Sequence, residues 1–360
     1  MNYYESPRGF RFLAGPVRPR WRIAQEGAIG ALVADWSTSR QPGLISLPTD
    51  AGKTAVALAA PYLVAPRRSL VVVPTRELRR QLAEAFRSQH VLRDIGALRG
   101  KQDPQVAEVS GMVRDWTEFL RADVVVALPN TISPTYYDAD NQPPHDLFDL
   151  VIIDEAHHSP ARTWRAVLDH FHDARALLLT ATPRRRDGQQ LPGEELYHYP
   201  VRQALQQGFY KPVQPYIIDL PAASTREFVD RVIAAETVKI AALPEHASSS
   251  ILIRAHTRKR AEVLADLYRE LGLAVPTLYS GMPRQAHDDL LARVRSGECR
   301  AVAVVNMLGE GFDLPRLRIA AYHDKHKSLA ATAQFLGRFA RPHPEHPQPS
   351  TTIVARDIDV

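Results

Sequence analysis

The chain has 360 residues, of which 45% are hydrophobic and 24% charged, a length that suits two ordinary globular domains and a composition that excludes a disordered or fibrous chain. No run of about 18 apolar residues is present to span a bilayer as a helix, and a single cysteine, Cys299, excludes an internal disulfide or a multi-cysteine zinc site. Net charge is +5, with Arg far outnumbering Lys, which favours a polyanionic partner but equally fits a GC-rich coding bias.

In chain order, the opening MNYYESPRGFRF lacks the apolar core of a signal peptide, which predicts a cytoplasmic protein. Short runs rich in Val, Ile and Leu then predict strands at 43–48, 69–73, 123–127, 149–153 and 176–180. Each is apolar on both faces, as in parallel strands covered by helices. Amphipathic stretches such as 75–89 lie between them, giving the βαβ rhythm of a doubly wound sheet. The rhythm repeats with strands at 250–254, 275–279, 300–305, 317–322 and 351–355 and helices at 257–271, 283–296 and 328–340. Gly208, Pro212, Pro215 and Pro221 punctuate the interval between the two sets and predict a linker near 208–224. The expected organisation is therefore two α/β domains, 1–210 and 211–360. The Pro- and His-rich stretch 342–349 reads as an exposed loop rather than a metal site.

Two motifs carry chemistry. The first strand runs into Thr49-Asp50-Ala51-Gly52-Lys53-Thr54 and then into a helix, the context that a phosphate-binding loop requires. Gly52 lets the backbone approach phosphate, and the helix N-terminus points free N–H groups at the anion. Lys53 can reach the β- and γ-phosphates of a nucleotide, and the Thr54 hydroxyl can hold Mg²⁺. The full G-x-x-x-x-G-K-T pattern is not met, because Leu47 stands where its first Gly would be. The second motif, Asp154-Glu155-Ala156-His157, follows directly on the apolar run DLVII. Carboxylates at the C-terminal edge of a parallel strand face the crevice where open α/β sheets bind ligands. There Asp154 can hold Mg²⁺ through water, and Glu155 can orient and deprotonate an attacking water.

These two motifs, with VVVPTREL, LLLTATPRRRDG, VVNMLGEGFDLP and QFLGRFAR, resemble in order and spacing the motif series of superfamily 2 helicases and translocases. The series covers residues 18–341. The forms DEAHH, TATPxRxDG and LGEGFD are most similar to the DNA-directed branch, which includes type I and type III restriction motor subunits and UvrB-like and RecG-like proteins. The resemblance implies two RecA-like domains in tandem and ATP hydrolysis with Mg²⁺ that drives movement along DNA. An RNA helicase of the same architecture, or a nucleotide-gated binder with little turnover, are the alternatives. It further implies that Gln25 reads adenine and that Thr180, Thr182 and His157 couple hydrolysis to movement. Gly311 and Asp313 would approach the ribose. Gln334, Arg338 and Arg341 match Q-x-x-G-R-x-x-R. Arginines three apart share a helix face, so both can present cations to a transferring phosphoryl group.

Residues matching the family's nucleic-acid contacts are Thr75, Arg76, Asn130 and Thr131 in the first half and Thr257, Ser280, Gly281 and Asn306 in the second. Each position fits a helix cap or turn as well as a phosphate contact. All would touch the sugar-phosphate backbone, implying motion without sequence reading. The sequence departs from the family at Asp50, where a Gly is usual, at Arg254, where an aromatic is usual, and at Asn306, where a Thr is usual. Nothing in the chain resembles a nuclease, methyltransferase or wedge module, so a minimal motor or a piece of a larger assembly is expected.

Overall fold

A computed structural model describes residues 3–5, 9–12, 21–49, 51–156, 161–182, 191–221, 224–279, 281–305, 314, 316–324, 337, 339–340 and 349–356. The chain forms two compact units, Met1–Pro200 and Val201–Val360, dividing ahead of the expected 210/211 boundary.

In the first unit the elements run α1 (Ile23–Thr38), β1 (Gly43–Ser46), α2 (Lys53–Val64), β2 (Ser69–Val72), α3 (Arg76–Ser88), α4 (His90–Asp94), β3 (Val106–Glu108), β4 (Val124–Ala127), α5 (Pro129–Ile132), β5 (Leu150–Asp154), α6 (Ala161–His170), β6 (Arg175–Thr180) and β7 (Glu194–His198). The seven strands form one sheet in the order β3-β4-β2-β5-β6-β1-β7, and every neighbouring pair is parallel. β1, β2 and β4 are buried along their whole length. This is why their sequences read as unbroken apolar runs rather than as alternating ones. α2 buries Ala55 through Pro61, and α3 begins at a Thr75 cap whose hydroxyl accepts the Leu78 N–H at 3.3 Å.

The second unit runs α7 (Val201–Gln206), β8 (Val213–Asp219), α8 (Arg226–Ala241), β9 (Ser250–Ala255), α9 (Arg258–Glu270), β10 (Thr277–Tyr279), α10 (Arg284–Ser296), β11 (Ala301–Val305), β12 (Leu317–Tyr322) and β13 (Ser350–Arg356). Its six strands pair in parallel in the order β10-β11-β9-β12-β13-β8. Two RecA-like parallel-sheet domains in tandem are thus present.

All ten expected strands form. Three more, β3, β7 and β8, were not expected, and each lies at a sheet edge. An edge strand is covered on fewer sides, so its sequence carries no continuous apolar run. β8 corrects the linker expected at 208–224: Pro215 sits inside a strand there, as an outermost position permits. Most of the helix expected at 328–340, and 342–348 of the Pro/His-rich stretch, lie outside the described residues. Among the described residues, no helix is long and apolar enough to cross a membrane.

Candidate nucleotide site and nucleic-acid contacts

Because β5, β6 and β1 are adjacent and parallel, their C-terminal ends share one edge of the first sheet. The register sets Ser46 beside Thr180 and Leu179 beside Asp154. Two backbone bonds carry the pairing to the edge, Leu47 N–H to Thr180 O at 2.9 Å and Ala156 N–H to Leu179 O at 3.2 Å. The glycine-lysine-threonine loop, the acidic pair and the Thr180–Thr182 turn are therefore neighbours, at the place where open parallel sheets bind ligands.

Lys53 opens α2, and its Nζ lies 2.7 Å from Glu155 Oε1 with both side chains about nine-tenths covered (10% and 12% exposed). The two residues are 102 positions apart in sequence. A charge-assisted bond of that length in a poorly solvated setting is among the stronger polar contacts a protein makes. Glu155 itself has φ 50°, a left-handed conformation that a side chain other than glycine rarely adopts. Its N–H donates to Asp154 Oδ1 at 3.0 Å, which braces the turn. Such backbone strain, of order 1–3 kcal/mol, survives where the surrounding structure fixes it, and it aims the Glu155 carboxylate at the phosphate loop.

The loop is shaped from the other side by Gly52 and Gln25. Gly52 has φ 99°, and a Cβ added there would lie 2.0 Å from Gln25 Nε2. Gln25, buried in α1, accepts the Arg22 N–H at 2.9 Å through Oε1, and its Nε2 faces the Gly52 carbonyl at 3.5 Å. Ala51 N–H donates to Pro48 O at 3.1 Å, closing the turn that contains Thr49, and Thr54 is exposed at the second position of α2. Thr54 and Asp154 supply oxygen donors of the kind Mg²⁺ takes. Mg²⁺ ordinarily uses one or two protein oxygens and completes its shell with water and substrate phosphate. Among the described residues no cluster of three or more His, Cys, Asp or Glu is placed to hold a metal. Thr180 is fully buried; its hydroxyl donates to Thr182 O at 2.9 Å and accepts the Thr182 N–H at 3.1 Å, making a closed turn beside the site.

The structure sorts the nucleic-acid candidates. Thr75 and Thr257 are both N-caps, of α3 and α9, the latter accepting the Arg260 N–H at 3.2 Å. Each is followed by an exposed arginine, Arg76 and Arg258. Asn130 is exposed, whereas Thr131 is buried and turned inward, its hydroxyl donating to Leu128 O at 3.0 Å and accepting the Leu128 N–H at 3.2 Å. Gly281 has φ 96° with open space around it. Asp50, His157, Ser280, Asn306, Gly311, Asp313, Gln334, Arg338 and Arg341 lie outside the described residues. Around that last group, Phe339 is buried in the core of the second unit with Leu252, Leu278 and Val302. The Phe339 carbonyl accepts from the Ser350 hydroxyl at 2.6 Å and from Arg318 at 3.4 Å. Arg318 is fully buried in β12, inside a run that reads as apolar, and burial lowers its pKa. No periodicity signals such a residue, since the neighbours on both sides are those of an ordinary core strand.

Two family models match the chain. Residues 18–185 match the family described as Type III restriction enzyme, res subunit, and residues 235–343 match the Helicase conserved C-terminal domain. The chain is a superfamily 2 helicase core. It is 22% identical over 335 residues to a protein of Sulfolobus islandicus filamentous virus named as helicase 22, covering 83% of this chain and 58% of the viral one. It is 38% identical over 96 residues to UvrABC system protein B of Chlamydia trachomatis, covering 25% of this chain and 14% of that protein. In structure it is similar to the ATP-dependent type ISP restriction-modification enzyme LlaBIII bound to DNA. That likeness has a TM-score of 0.65 at 15% identity and covers 97% of this helicase core and 28% of the enzyme. The core thus spans little more than half of the viral relative and a smaller part of the others.

Proposed function

We propose that this helicase core hydrolyses ATP with Mg²⁺ to drive movement along DNA. The observation that carries the reading is the contact between Lys53 and Glu155, which brings the phosphate-loop cation and the candidate base together across 102 residues of sequence. In this reading the ion pair is the resting form. Lys53 leaves Glu155 for the β- and γ-phosphates when nucleotide enters, and Glu155 becomes available to orient and deprotonate water. Thr54 and Asp154 would hold Mg²⁺, which when bound supplies positive charge to the phosphate oxygens. Thr49, Asp50, Ala51 and Gly52 offer backbone to the phosphates, Gln25 reads the adenine edge, and Gly311 and Asp313 approach the ribose. Gln334, Arg338 and Arg341 stabilise charge on the transferring group, a role worth about 10³–10⁵ in rate where it has been measured. Thr180, Thr182 and His157 couple hydrolysis to movement.

Thr75, Arg76, Asn130, Thr257, Ser280, Gly281 and Asn306 hold the sugar-phosphate backbone, and Thr131 shapes the turn beside Asn130. DNA is preferred to RNA because the family matched by the first unit is a restriction-enzyme subunit. Steady-state ATPase rates without nucleic acid and with single-stranded DNA, duplex DNA and RNA test the reading. Stimulation by either DNA supports it, and stimulation by RNA alone, with dependence on the 2′-hydroxyl, replaces it with an RNA helicase. ATP binding without steady phosphate release would make the core a nucleotide-gated binder.

A further inference from the structure

The first unit carries an exposed loop that none of these roles uses. β3, β4 and β2 are parallel neighbours, with Glu108 beside Val126 and Val72 beside Ala127, so their C-terminal ends lie level along one edge. Asn130 stands three residues past the end of β4, and Thr75 three past the end of β2. Ser110, two residues past the end of β3, opens a loop in the same row, Ser110-Gly111-Met112. All three residues are exposed, and Met112 keeps 54% of its surface in solvent. A Cβ added at Gly111 would meet no atom of the described residues within 4 Å, so the loop stands clear of the unit that carries it.

Both ends of this loop are pinned. Val109 donates its N–H to Val126 O at 2.9 Å, and its carbonyl accepts from Arg79 Nη1, on α3, at 2.6 Å. Val113 is buried; its N–H donates to the Tyr137 hydroxyl at 3.1 Å, and its carbonyl accepts from Asn141 Nδ2 at 3.1 Å. The same Tyr137 hydroxyl donates to Thr131 O at 2.7 Å, in the turn that presents Asn130. One phenol therefore sets the loop and the Asn130 turn in register. Trp116 holds the Tyr137 ring edge-on, with 5.2 Å between centroids, and its own Nε1 donates to Asn141 O at 3.0 Å.

A single exposed apolar side chain is ordinary on any surface. Met112 differs because a loop fixed at both ends keeps it out of the core and beside two candidate phosphate contacts, so little ordering remains to be done when a ligand arrives. Arg114, also exposed, adds positive charge next to the loop, while the Asp115 carboxylate is occupied by the Thr117 N–H at 2.9 Å and its hydroxyl at 2.6 Å. Methionine is among the apolar side chains that proteins insert between base steps.

We propose that Met112 is a wedge that inserts between neighbouring bases of a single DNA strand, with Tyr137 the positioning residue that keeps it in line with Asn130. The proposal rests on the proposed function, since it adds a base contact to a set otherwise confined to the sugar-phosphate backbone. Packing on the face of a base tolerates any sequence, because every base has such a face. The wedge thus grips a strand without reading it.

The test uses the full chain and fluorescence anisotropy at low salt, where phosphate contacts are strong. Affinity is measured for a labelled oligodeoxythymidylate and for an abasic strand of the same length, which keeps phosphates and sugars but has no bases. The variants are Met112→Ala, Met112→Leu, Tyr137→Phe and the Met112→Ala, Tyr137→Phe pair, with thermal unfolding recorded for each. Met112→Ala is expected to weaken thymidylate binding about fivefold, the low end of the loss when a base-stacking side chain is truncated, and to change abasic-strand binding by less than about twofold. Met112→Leu should restore most of the affinity, because it keeps the apolar volume. Tyr137→Phe keeps the ring but removes both hydroxyl bonds; it should weaken thymidylate binding, and Met112→Ala should cost less in that background than in the parent. Should Tyr137→Phe fail to fold, the Met112 pair, which alters an exposed side chain, decides the proposal. Equal weakening on both strands by Met112→Ala, or none on either, overturns the wedge, and an equal cost in the two backgrounds overturns the role of Tyr137. A parent that binds no nucleic acid overturns the wedge and the proposed function together, whereas a parent that binds both strands, with Met112→Ala unchanged, overturns the wedge alone.

Discussion

Replacing Gly52 by alanine tests the shape of the phosphate loop, because two separate costs follow from the geometry. Gly52 sits at φ 99° and ψ 32°, and forcing a residue with a Cβ into left-handed backbone costs about 1–2 kcal/mol. The new Cβ would also stand 2.0 Å from Gln25 Nε2, 2.8 Å from its Cδ and 3.0 Å from its Cγ, so the Gln25 side chain as a whole must leave. Gln25 would then release the Arg22 N–H, whose bond is worth about 0.5–1.5 kcal/mol. The total is about 1.5–3.5 kcal/mol. A surface loop can relax while the sheet beneath stays folded, so the cost should appear in nucleotide binding rather than in global stability. That corresponds to a loss of about one to two and a half orders of magnitude in affinity. The assay is titration with a non-hydrolysable ATP analogue, with thermal unfolding recorded on the same samples. A Gln25→Ala background removes the obstructing side chain, so the second substitution should cost less there than in the parent, a non-additivity expected of touching residues. Affinity within about threefold of the parent for Gly52→Ala, or equal costs in the two backgrounds, would refute the reasoning.

Four further outcomes are expected. Glu155→Gln should bind ATP yet lose nearly all hydrolysis, and turnover within a few-fold of the parent would remove Glu155 as the base. Arg338→Ala and Arg341→Ala should each lower nucleic-acid-stimulated turnover sharply with an unchanged unfolding midpoint; unchanged turnover in both would discard the arginine assignment. Asp50→Gly should shift ATP-analogue affinity by less than about tenfold if the carboxylate turns away from the phosphates. A gain of a hundredfold would mean that it faces them, since two unit charges some 6 Å apart repel by roughly 3 kcal/mol at an effective dielectric of about 20. Stability should also fall with acid: burial, against the opposing pull of Asp230, lowers the pKa of His323 below its ordinary 6.5. Between that value and the lower folded one the unfolded chain takes up a proton that folded His323 resists, so stability is full above about pH 6.5 and declines as pH falls. His170 and His246, also lowered by burial, act in the same direction, so the check is whether His323→Asn flattens the slope of unfolding midpoint against pH.

The central strands were legible in the sequence because a parallel strand covered on both faces must be apolar throughout, and that demand leaves a mark no longer than the strand itself. The same holds for the glycine-lysine-threonine loop and the acidic pair, whose chemistry needs particular residues at fixed offsets from a strand end. Three of the four edge strands left no such mark. β3, β7 and β8 are held by hydrogen bonds to a neighbouring strand rather than by burial of both faces, and β8 accommodates a proline that argues against a strand from sequence alone. Burial of charge was likewise decided only in three dimensions. Arg254, Arg318, His323 and Asp324 are spelled like surface residues, and partners 21 or more positions away make their burial tolerable. The contact between Lys53 and Glu155 belongs to both levels. The residue types were readable as separate motifs, but their 2.7 Å approach depends on β5, β6 and β1 being adjacent, a strand order that follows from how the helices pack around the sheet and that no local pattern encodes.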